Sequence, residues 1–455
     1  MKLTTLILAA GKGTRMRSDK PKVLHEIAGK ALLKHVYDLG QCFENNRTFV
    51  LYGHGGEQVK AGMEQLSIDW ILQEPQLGTG HAVLQAVDYI DNDAIVLVLY
   101  GDVPLLQPET IALLLAKAEQ NLALLTVDLP EPKGYGRIVR NADHEVVAIV
   151  EEKDASAEQR DITEVNTGIL AVRGDRLKAW LAKLDNNNAQ GEYYLTDIIA
   201  MAVAEQMPVH AVAAHDADEV MGVNDKVQLA HLERVYQRRQ ARQLMQQGVT
   251  LRDPERFDLR GDIAKLGHDV EIDVNVLLQG RLELGDRVTI GANCVINNAV
   301  IGDDVEILAN SIIEHAVVGK GSRIGPFARL RPGADLAEQV HIGNFVEIKK
   351  TTVAAGSKIN HLSYIGDTEI GSGVNVGAGT ITCNYDGVNK FRTVIGDRAF
   401  IGSNSQLVAP VTIGQGATIG AGSTITKDAP VEQLTLARAK QVTVSGWQRP
   451  TKKES

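Results

Sequence analysis

The segment from residue 395 to residue 425 reads IGDRAFIGSNSQLVAPVTIGQGATIGAGSTI, and it decides the fold of the C-terminal half. An aliphatic residue returns at every sixth position, often followed by glycine, and the same spacing runs from Val318 to Ile348. A six-residue period is typical of a parallel β-helix, in which each hexapeptide contributes one short strand and about three hexapeptides form a coil. The pattern therefore predicts a β-helix from about residue 270 onward, with the aliphatic side chains pointing inward. A sandwich of short β-strands is the alternative.

The regular spacing is interrupted once, between Val376 and Ile395. The interval there is 19 residues and contains the polar stretch Thr380–Arg392. An insertion in one coil of a solenoid commonly serves binding. We therefore expect a binding loop in this coil.

The N-terminal half has a different pattern. Residues 1–250 contain 18 of the 43 glycines, and apolar strands alternate there with amphipathic helices, which favours an α/β sheet with much parallel pairing. A polar helix is predicted over Asp225–Gln247. The predicted strands are Thr4–Leu8, Arg47–Tyr52, Ala94–Tyr100, Ala123–Asp128, Val146–Glu151 and Gly168–Val172, and the predicted helices between them include Val23–Gly40, Gly80–Tyr89 and Pro108–Glu119.

Composition excludes several classes of function. The chain has 455 residues, with 47 Lys and Arg against 57 Asp and Glu, which gives a formal charge of −10. This balance argues against broad binding of nucleic acid and against a basic membrane-surface protein. No apolar run approaches the ~20 residues of a membrane span. The three cysteines are far apart and lack CxxC spacing, as is usual in a reducing cytosol, so we expect a cytoplasmic protein.

A glycine-rich turn, with Gly11 and Gly13, follows the first predicted strand. Its glycines allow the backbone to approach a phosphate chain, while Lys12, Arg15 and Lys22 supply positive charge. The turn matches neither the Walker loop nor the GxGxxG fingerprint, and alone it could be an ordinary strand-to-helix connection. Asp102 ends another strand, and open α/β sheets bind ligands at the carboxyl ends of their strands. A carboxylate facing such a turn suits Mg²⁺.

These motifs resemble those of a known family. Leu8–Met16 with Pro21-Lys22 looks like the signature of sugar-nucleotide pyrophosphorylases. Together with the hexapeptide half, essentially residues 1–450 resemble the bacterial bifunctional N-acetylglucosamine-1-phosphate uridylyltransferases/glucosamine-1-phosphate N-acetyltransferases. The resemblance implies a Rossmann-like nucleotidyltransferase domain over residues 1–226, a linker helix over 227–248 and a left-handed parallel β-helix acetyltransferase domain over 249–455. Further matching motifs are residues 73–80, 134–137, 151–153, 166–168 and 191–197.

For the N-terminal domain, the resemblance implies transfer of UMP from UTP to N-acetylglucosamine-1-phosphate, with release of pyrophosphate and with Mg²⁺ as cofactor. Asp102 and Asn224 would ligate the metal ion. The residues implied in binding uridine and phosphate are Leu8, Ala9, Ala10, Gly11, Arg15, Lys22, Gln73, Gly78, Thr79, Tyr100 and Gly101, and those implied in binding the UDP-sugar are Gly136, Glu151, Asn166 and Asn224.

In the C-terminal half, Arg331 and Lys349 are 18 residues apart, which is about one coil, so both cations should project together. His361 is 12 residues from Lys349 and should lie on another face, which implies that a neighbouring chain completes the pocket. An imidazole beside the inserted loop is a candidate general base, because the ammonium group of an amino sugar must lose a proton before it can accept an acetyl group. The reference pKa of histidine, about 6.5, suits this role at neutral pH.

For this half, the resemblance implies acetylation of glucosamine-1-phosphate by acetyl-CoA, with His361 as the general base. It also implies a homotrimer with sites between subunits. The tail Leu434–Gln441 keeps Arg438 but departs from the family pattern around it. The residues implied in binding the amino-sugar phosphate are Arg331, Lys349, Tyr364 and Asn375, and those implied in binding acetyl-CoA are Ala378, Asn384, Tyr385, Ser403, Ala421 and Arg438.

Two alternatives remain at this point. In one, the chain is a uridylyltransferase only, and the β-helix is a trimerising or regulatory scaffold. In the other, the N-terminal domain is a pyrophosphorylase for glucose or dTTP. The intact set of polar residues between Arg331 and Asn384 argues against the first alternative.

Overall fold

In a computed structural model, which describes residues 2–11, 13–53 and 55–452, the chain divides into two compact units, Met1–Tyr236 and Gln237–Ser455. The division falls within the helix Lys226–Gln246, close to the linker helix predicted over residues 227–248. Lys12, one of the predicted cations, lies outside the described residues. Cys42, Cys294 and Cys383 are free, so the described part of the chain contains no disulfide bond.

The first unit is built on a mixed sheet with the strand order β11-β7-β10-β6-β1-β4-β5. Strand β1 lies near the middle and runs parallel to both β4 and β6, so that their carboxyl ends meet at one edge. Strands β8 and β9 extend the sheet beside β10, while β2 and β3 form a separate hairpin. The strands are β1 (Leu3–Ala9), β2 (Glu26–Ile27), β3 (Lys30–Ala31), β4 (Asn46–Tyr52), β5 (Asp69–Leu72), β6 (Ile95–Tyr100), β7 (Leu122–Asp128), β8 (Arg137–Arg140), β9 (Val146–Val150), β10 (Glu164–Arg173) and β11 (Val209–Ala213).

Helices cover both faces of this sheet, because side chains along a strand alternate between its faces. Ile7 of β1 packs into one core, and Leu6 and Leu8 pack into the other. The helices are α1 (Leu32–Gln41), α2 (Gly56–Gly62), α3 (Thr79–Leu84), α4 (Pro108–Ala118), α5 (Ala157–Arg160), α6 (Gly174–Leu181), α7 (Asp197–Ala204) and α8 (Lys226–Gln246), and 3₁₀ turns cover Thr14–Met16, Lys22–Leu24 and Val87–Tyr89.

Two predicted helices are partly wrong. The helix predicted over Val23–Gly40 begins only at Leu32, because Ala28 and Gly29 both have positive φ (52° and 75°) and form the turn of the β2–β3 hairpin. The helix predicted over Gly80–Tyr89 ends at Leu84 and is followed by a 3₁₀ turn.

The second unit is a parallel β-helix, as the six-residue period predicted. We call its two sheets the first and the second sheet. The first sheet contains Thr250–Leu251, Glu271–Ile272, Thr289–Ile290, Glu306–Ile307, Arg323–Ile324, His341–Asn344, Lys358–His361, Asn375–Val376, Phe400–Ile401, Thr418–Ile419 and Leu434–Thr435. The second sheet contains Phe257–Leu266, Val276–Leu284, Val295–Asn297, Val300–Ile301, Ile312–Glu314, Val317–Val318, Arg329–Leu330, Ala334–Leu336, Glu347–Lys349, Thr351–Val353, Tyr364–Gly366, Thr368–Ile370, Ile381–Cys383, Thr393–Ile395, Gln406–Val408, Val411–Ile413 and Thr424–Ile425.

The aliphatic residues that recur every six positions form the core of the β-helix. Ile324, Ile342, Ile401 and Ile419 are fully buried, and each stacks on the equivalent residue of the next coil. Burial of one such side chain stabilises the fold by about 1.5–3 kcal/mol. The β-helix begins well before residue 270. Its first strand, Thr250–Leu251, pairs with Glu271–Ile272, and the long strand Phe257–Leu266 that follows lacks the glycine-punctuated hexapeptide pattern.

The inserted loop is shorter than predicted. Paired residues of successive coils are 17 or 18 positions apart at His341↔Lys358 and Arg323↔His341, but 25 apart at Asn375↔Phe400. Residues 381–383, which were expected in the loop, form a strand that pairs with Gln406–Val408. The extra residues are therefore confined to 384–392.

Candidate active sites

A cavity of about 540 Å³ opens at the carboxyl ends of the central strands of the first unit. The register of the strands brings residues of β1 and β6 together at this cavity. Leu8 of β1 lies opposite Tyr100 of β6, and the Gly101 amide donates to the Leu8 carbonyl at 2.9 Å. The cavity is lined by Leu8, Ala9, Ala10, Gly11, Lys22, Val23, Gln73, Gln76, Gly78, Thr79, Ala82, Tyr100, Asp102 and Glu192. Most residues predicted to bind uridine and phosphate are therefore brought together.

Two of the predicted residues, Arg15 and Gly101, are not among those that line the cavity. Arg15 is exposed on the 3₁₀ turn Thr14–Met16, and Gly101 is buried at the position that directly follows β6. The prediction missed Val23, Gln76 and Ala82 as lining residues. Glu192 belongs to a motif that carried the family resemblance, but it was not assigned a role.

Gly78 shapes the wall of the cavity. Its φ is +107°, and a Cβ atom there would lie 2.7 Å from the carbonyl oxygen of Tyr193, so only glycine fits. The buried side chain of Gln73 donates to the Gly78 carbonyl at 3.0 Å and lies 3.3 Å from Nδ1 of His81. Gln73 thus supports the turn from behind as well as lining the cavity.

A charged centre lies at the rim of this cavity. The Lys22 ammonium group forms an ion pair with the Asp102 carboxylate, and both side chains are less than one-fifth exposed. The same nitrogen lies 3.3 Å from Oδ1 of Asn224. The Val223 amide donates to the Asp102 carbonyl at 2.8 Å, which places Asn224 beside Asp102. Sequence reasoning alone did not find Asn224, since it lies far from the other motifs along the chain.

The donor set of this centre fits Mg²⁺. The oxygens of Asp102 and Asn224 already converge on one cation, the Lys22 ammonium. Mg²⁺ is commonly held by one or two carboxylates together with substrate phosphates, whereas an all-protein site would need more ligands. Within the described part of the chain, no group of three or more His, Cys, Asp or Glu could hold a metal ion. A site completed by substrate phosphate is therefore the arrangement that these residues allow.

The residues predicted for the sugar lie close to one another. The Asn166 amide donates to the Gly136 carbonyl at 2.8 Å, and a Cβ atom on Gly136 would lie 3.4 Å from the Glu151 carboxylate. The Thr196 hydroxyl donates to Glu151 at 3.1 Å. Burial raises the pKa of Glu151, although the Thr196 hydrogen bond opposes this shift. Gly136, Glu151 and Asn166 are therefore brought together, and their role in binding the UDP-sugar stays a prediction.

Asp197 belongs to the same acidic region and was not predicted. Burial raises its pKa to about 6, and repulsion from Asp185, Glu151 and Asp154 adds to the effect. Asp197 begins helix α7, directly after Thr196. Its motif was visible in the sequence, but its carboxylate neighbours come from distant segments.

In the β-helix, Arg331 and Lys349 occupy neighbouring coils, as their spacing predicted. Leu330 lies opposite Ile348, and the Arg331 amide donates to the Ile348 carbonyl at 2.8 Å. Arg331 forms an ion pair with Glu347 at 2.7 Å, and Nζ of Lys349 lies 3.9 Å from Asp367. The two cations thus share one edge of the second sheet.

The side chains of Tyr364 and Asn384 lie at the same edge of the second sheet. A Cβ atom on Gly366 would lie 2.5 Å from the Tyr364 hydroxyl and 2.9 Å from Nδ2 of Asn384, so both side chains pack over the glycine. Asn384 is buried and donates through Nδ2 to Asp367. Of the residues implied in acetyl transfer, Arg331, Lys349, Tyr364 and Asn384 are therefore brought together.

His361 lies on the first sheet, as expected for a different face. Its Nδ1 lies 2.9 Å from Oδ1 of Asn344, one coil away, and the ring is exposed. Since a carbonyl-type oxygen only accepts, the ring hydrogen is on Nδ1, which leaves the lone pair of Nε2 free in neutral imidazole. Asn375 lies on the same sheet, in register with Lys358. Asn344 was not predicted, although its 17-residue spacing from His361 was a visible signal.

The residues implied in binding acetyl-CoA lie along successive coils. The Asn404 amide donates to the Ala378 carbonyl at 2.7 Å, and the Gly422 amide donates to the Ser403 carbonyl at 2.9 Å. Arg438 donates to the Ala421 carbonyl at 2.7 Å. Tyr385 is exposed on the inserted loop. The structure therefore aligns Ala378, Ser403, Ala421 and Arg438, and places Tyr385 on the loop beside Asn384.

Three family models match the chain. The MobA-like NTP transferase domain matches residues 5–250, the bacterial transferase hexapeptide (six repeats) matches residues 392–427, and the GMPPB C-terminal domain matches residues 262–342. The chain is 63% identical over 453 residues to the bifunctional protein GlmU of Methylococcus capsulatus, a match covering 99% of this chain and 98% of the relative. It is 57% identical over 448 residues to the bifunctional protein GlmU of Alkalilimnicola ehrlichii, covering 98% and 96%.

The chain belongs to the GlmU family of bifunctional proteins. This confirms the predicted family, and with it the prediction of a bifunctional transferase that uses a nucleotide and acetyl-CoA. The match extends through the nucleotidyltransferase half and the hexapeptide half, so the interpretation of the β-helix as a mere scaffold is not supported.

One solved structure is similar to about half of this chain. It is a UDP-glucose pyrophosphorylase complexed with UDP-glucose, 16% identical, which covers 52% of this chain and 98% of that chain with a TM-score of 0.41. The family assignment does not depend on it. Among the described residues, no helix is both long and apolar enough to cross a membrane.

Proposed function

We propose that the first unit transfers UMP from UTP to N-acetylglucosamine-1-phosphate, and that the β-helix unit makes that acceptor by acetylating glucosamine-1-phosphate with acetyl-CoA. The observation that carries the proposal is the presence of two separate polar centres, one in each unit. In the first, Lys22, Asp102 and Asn224 converge beside the cavity. In the second, Nδ1 of His361 contacts Oδ1 of Asn344, which in neutral imidazole leaves Nε2 as the acceptor.

In uridylyl transfer, an oxygen of the sugar phosphate attacks the α-phosphorus of UTP in line. A P–O bond to the sugar phosphate forms and the P–O bond to pyrophosphate breaks, with no covalent enzyme intermediate. Both reactants are anions, so Lys22 and Arg15 would reduce their repulsion. Mg²⁺, held by Asp102 and Asn224, would supply further positive charge to the transferring phosphoryl group. The backbone from Leu8 to Gly11 would hold the uridine portion.

In acetyl transfer, Nε2 of His361 would remove a proton from the ammonium group of glucosamine-1-phosphate. The free amine then attacks the thioester carbon, the C–N bond forms, and the C–S bond breaks to release CoA as a thiol. Arg331 and Lys349 would bind the sugar phosphate, because their cations share one edge. Asn344 keeps the imidazole oriented and in the correct tautomer.

The placement of these groups supports a homotrimer. His361 lies on the first sheet of the β-helix and Lys349 on the second, so one chain presents them on different faces. A neighbouring chain would complete each pocket by bringing the two faces together. We further propose that the enzyme acts in the cytoplasm, where its small-molecule substrates are available.

Two assays on the purified full-length protein test this proposal. Thiol release from acetyl-CoA should require glucosamine-1-phosphate, and pyrophosphate release should be fastest with UTP and N-acetylglucosamine-1-phosphate. A faster reaction with glucose-1-phosphate or with dTTP would instead support the alternative pyrophosphorylase. Absence of thiol release would contradict the acetyltransferase half of the proposal. Sedimentation velocity would test the trimer.

A further inference from the structure

Asp367 occupies a corner of the β-helix between the proposed substrate-binding residues. It follows the strand Tyr364–Gly366, has a φ of 50°, and donates its backbone amide to the Lys349 carbonyl at 3.0 Å. Its side chain is 20% exposed, so the carboxylate is largely removed from water. A carboxylate in that position requires charged or hydrogen-bonding partners.

The carboxylate has two partners from different parts of the chain. Nζ of Lys349, one coil earlier, lies 3.9 Å away, and Nδ2 of Asn384, one coil later, donates a hydrogen bond. Lys349 has a side chain only 15% exposed, and Asn384 is 6% exposed. Because all three groups are shielded from water, their electrostatic interactions are stronger than those of a surface pair.

These two contacts fix groups that would otherwise be free to move. A lysine ammonium group lies on a flexible four-carbon chain and has no preferred direction of its own. An asparagine amide can present either its NH₂ group or its oxygen. Donation from Nδ2 to Asp367 selects one orientation of Asn384, because the amide oxygen cannot donate to a carboxylate.

We propose that Asp367 is a positioning residue for acetyl transfer, which aligns Lys349 for the phosphate of the amino sugar and Asn384 for acetyl-CoA. One carboxylate would thereby couple the two substrate sites. The inference rests on the roles proposed above for Lys349 and Asn384. It adds a residue that neither the motifs nor the spacing of the sequence had singled out.

Asp367→Asn tests the proposal in the full-length protein, since it keeps the shape of the side chain and removes its charge. The KM for glucosamine-1-phosphate and the KM for acetyl-CoA should each rise about tenfold, the effect expected from loss of one charge-assisted hydrogen bond. Uridylyl transfer should stay within error of wild type, because its proposed residues lie in the first unit. Unchanged KM values for both substrates would overturn the proposal.

A matched control comes from the same β-helix. Asp304 also has a left-handed backbone, with a φ of 57°, and its carboxylate pairs with Arg287 at 2.6 Å, but it lies several coils away. Asp304→Asn should leave both KM values unchanged. If Asp304→Asn raised them as much as Asp367→Asn, the effect would be one of general structure, and the positioning role would be wrong.

Double variants separate failure of this inference from failure of the site assignment. Asp367→Asn should add less than about twofold to the KM for glucosamine-1-phosphate in a Lys349→Met protein, because the lost contact is then already absent. The same applies to acetyl-CoA in an Asn384→Ala protein. If Lys349→Met and Asn384→Ala themselves left KM unchanged, the proposed site assignment would be wrong. If they raised KM but Asp367→Asn did not, the assignment would stand and the positioning role would fall.

Discussion

The ammonium group of Lys22 forms an ion pair with the carboxylate of Asp102 and also lies 3.3 Å from Oδ1 of Asn224. A lysine that would grip phosphate in the working enzyme thus rests against the two residues proposed to hold Mg²⁺. The position in which the two oxygens converge suits a cation, and in this structure Lys22 provides it. The proposed phosphate binding and the proposed metal binding would therefore involve the same three side chains.

The first prediction concerns Asp102. Asp102→Ala should reduce uridylyl transfer to background, because two anionic substrates lose the carboxylate that holds their shared cation. Acetyl transfer should remain near wild type, since its residues lie in the β-helix unit. Asp69→Ala is a suitable control, because Asp69 pairs with Arg47 at the surface of the same unit. Substantial uridylyl transfer by Asp102→Ala in added Mg²⁺ would contradict the assignment.

The second prediction concerns Lys22 and the metal. Lys22→Met removes the cation that competes for Asp102 and Asn224, and a charge-assisted hydrogen bond is worth about 1.5–3 kcal/mol. Without nucleotide, Mn²⁺ should therefore bind Lys22→Met at least about tenfold more tightly than wild type, as measured by loss of the free-ion signal in electron paramagnetic resonance. Uridylyl transfer should nevertheless fall, because a phosphate contact is lost. Equal or weaker Mn²⁺ binding would show that Lys22 does not compete.

The six-residue period predicted the β-helix because only inward residues are constrained to be aliphatic, and Ile324, Ile342, Ile401 and Ile419 are all fully buried. The glycine-rich turn and the other family motifs likewise indicated most of the residues that line the cavity of the first unit. The sequence pattern gave a wrong helix boundary where the local signal for a turn was weak. The helix predicted over Val23–Gly40 begins only at Leu32, because the turn at Ala28 and Gly29 depends on two residues of positive φ that amphipathic periodicity does not register.

Side-chain contacts between residues of successive coils were also not predicted from the sequence. Asn344 holds His361 from one coil away, and Asp367 joins Lys349 to Asn384 across three coils. Such contacts depend on whether successive coils are offset by 17, 18 or 25 residues. The exact offset is set by turns and by the inserted loop, so the hexapeptide period alone could not identify these pairs.

The third prediction uses the raised pKa of Asp197, which burial brings to about 6 from 3.8. The folded state then holds a proton more tightly than the unfolded state, so this group stabilises the fold at low pH and its contribution is lost as pH rises from about 4 to 6. Asp197→Asn should therefore raise the free energy of unfolding at pH 7, by at most about 3 kcal/mol. The gain should vanish below about pH 4, as measured by denaturant unfolding.

Asp175 provides a control for this prediction, because its pKa is shifted in the opposite direction. Asp175 also lies in the first turn of a helix, but its hydrogen bonds with Arg173 lower its pKa. Asp175→Asn should therefore destabilise the protein at pH 7, with the loss shrinking as pH falls. Equal effects of the two substitutions would contradict the burial argument for Asp197.

The fourth prediction concerns His361. His361→Ala should lower acetyl transfer by ~10²–10⁴, the range typical of a positioned general base, and leave uridylyl transfer unchanged. The residual rate should keep rising with pH, because the free amine then forms without help, whereas the wild-type rate should level off. His341→Ala, one coil earlier on the same sheet, should keep normal acetyl transfer. Parallel pH profiles for His361→Ala and wild type, with unchanged thermal stability, would remove His361 from the mechanism.

The central claim is that one chain carries two separate active sites that act in succession. Its most direct test is complementation between Asp102→Ala and His361→Ala, supplied with glucosamine-1-phosphate, acetyl-CoA, UTP and Mg²⁺. Each variant alone should form UDP-N-acetylglucosamine only at a small residual rate, whereas an equimolar mixture should form it much faster, because one variant acetylates the sugar phosphate and the other uridylylates the product. Formation of the product by either variant alone as fast as by the mixture would contradict the account.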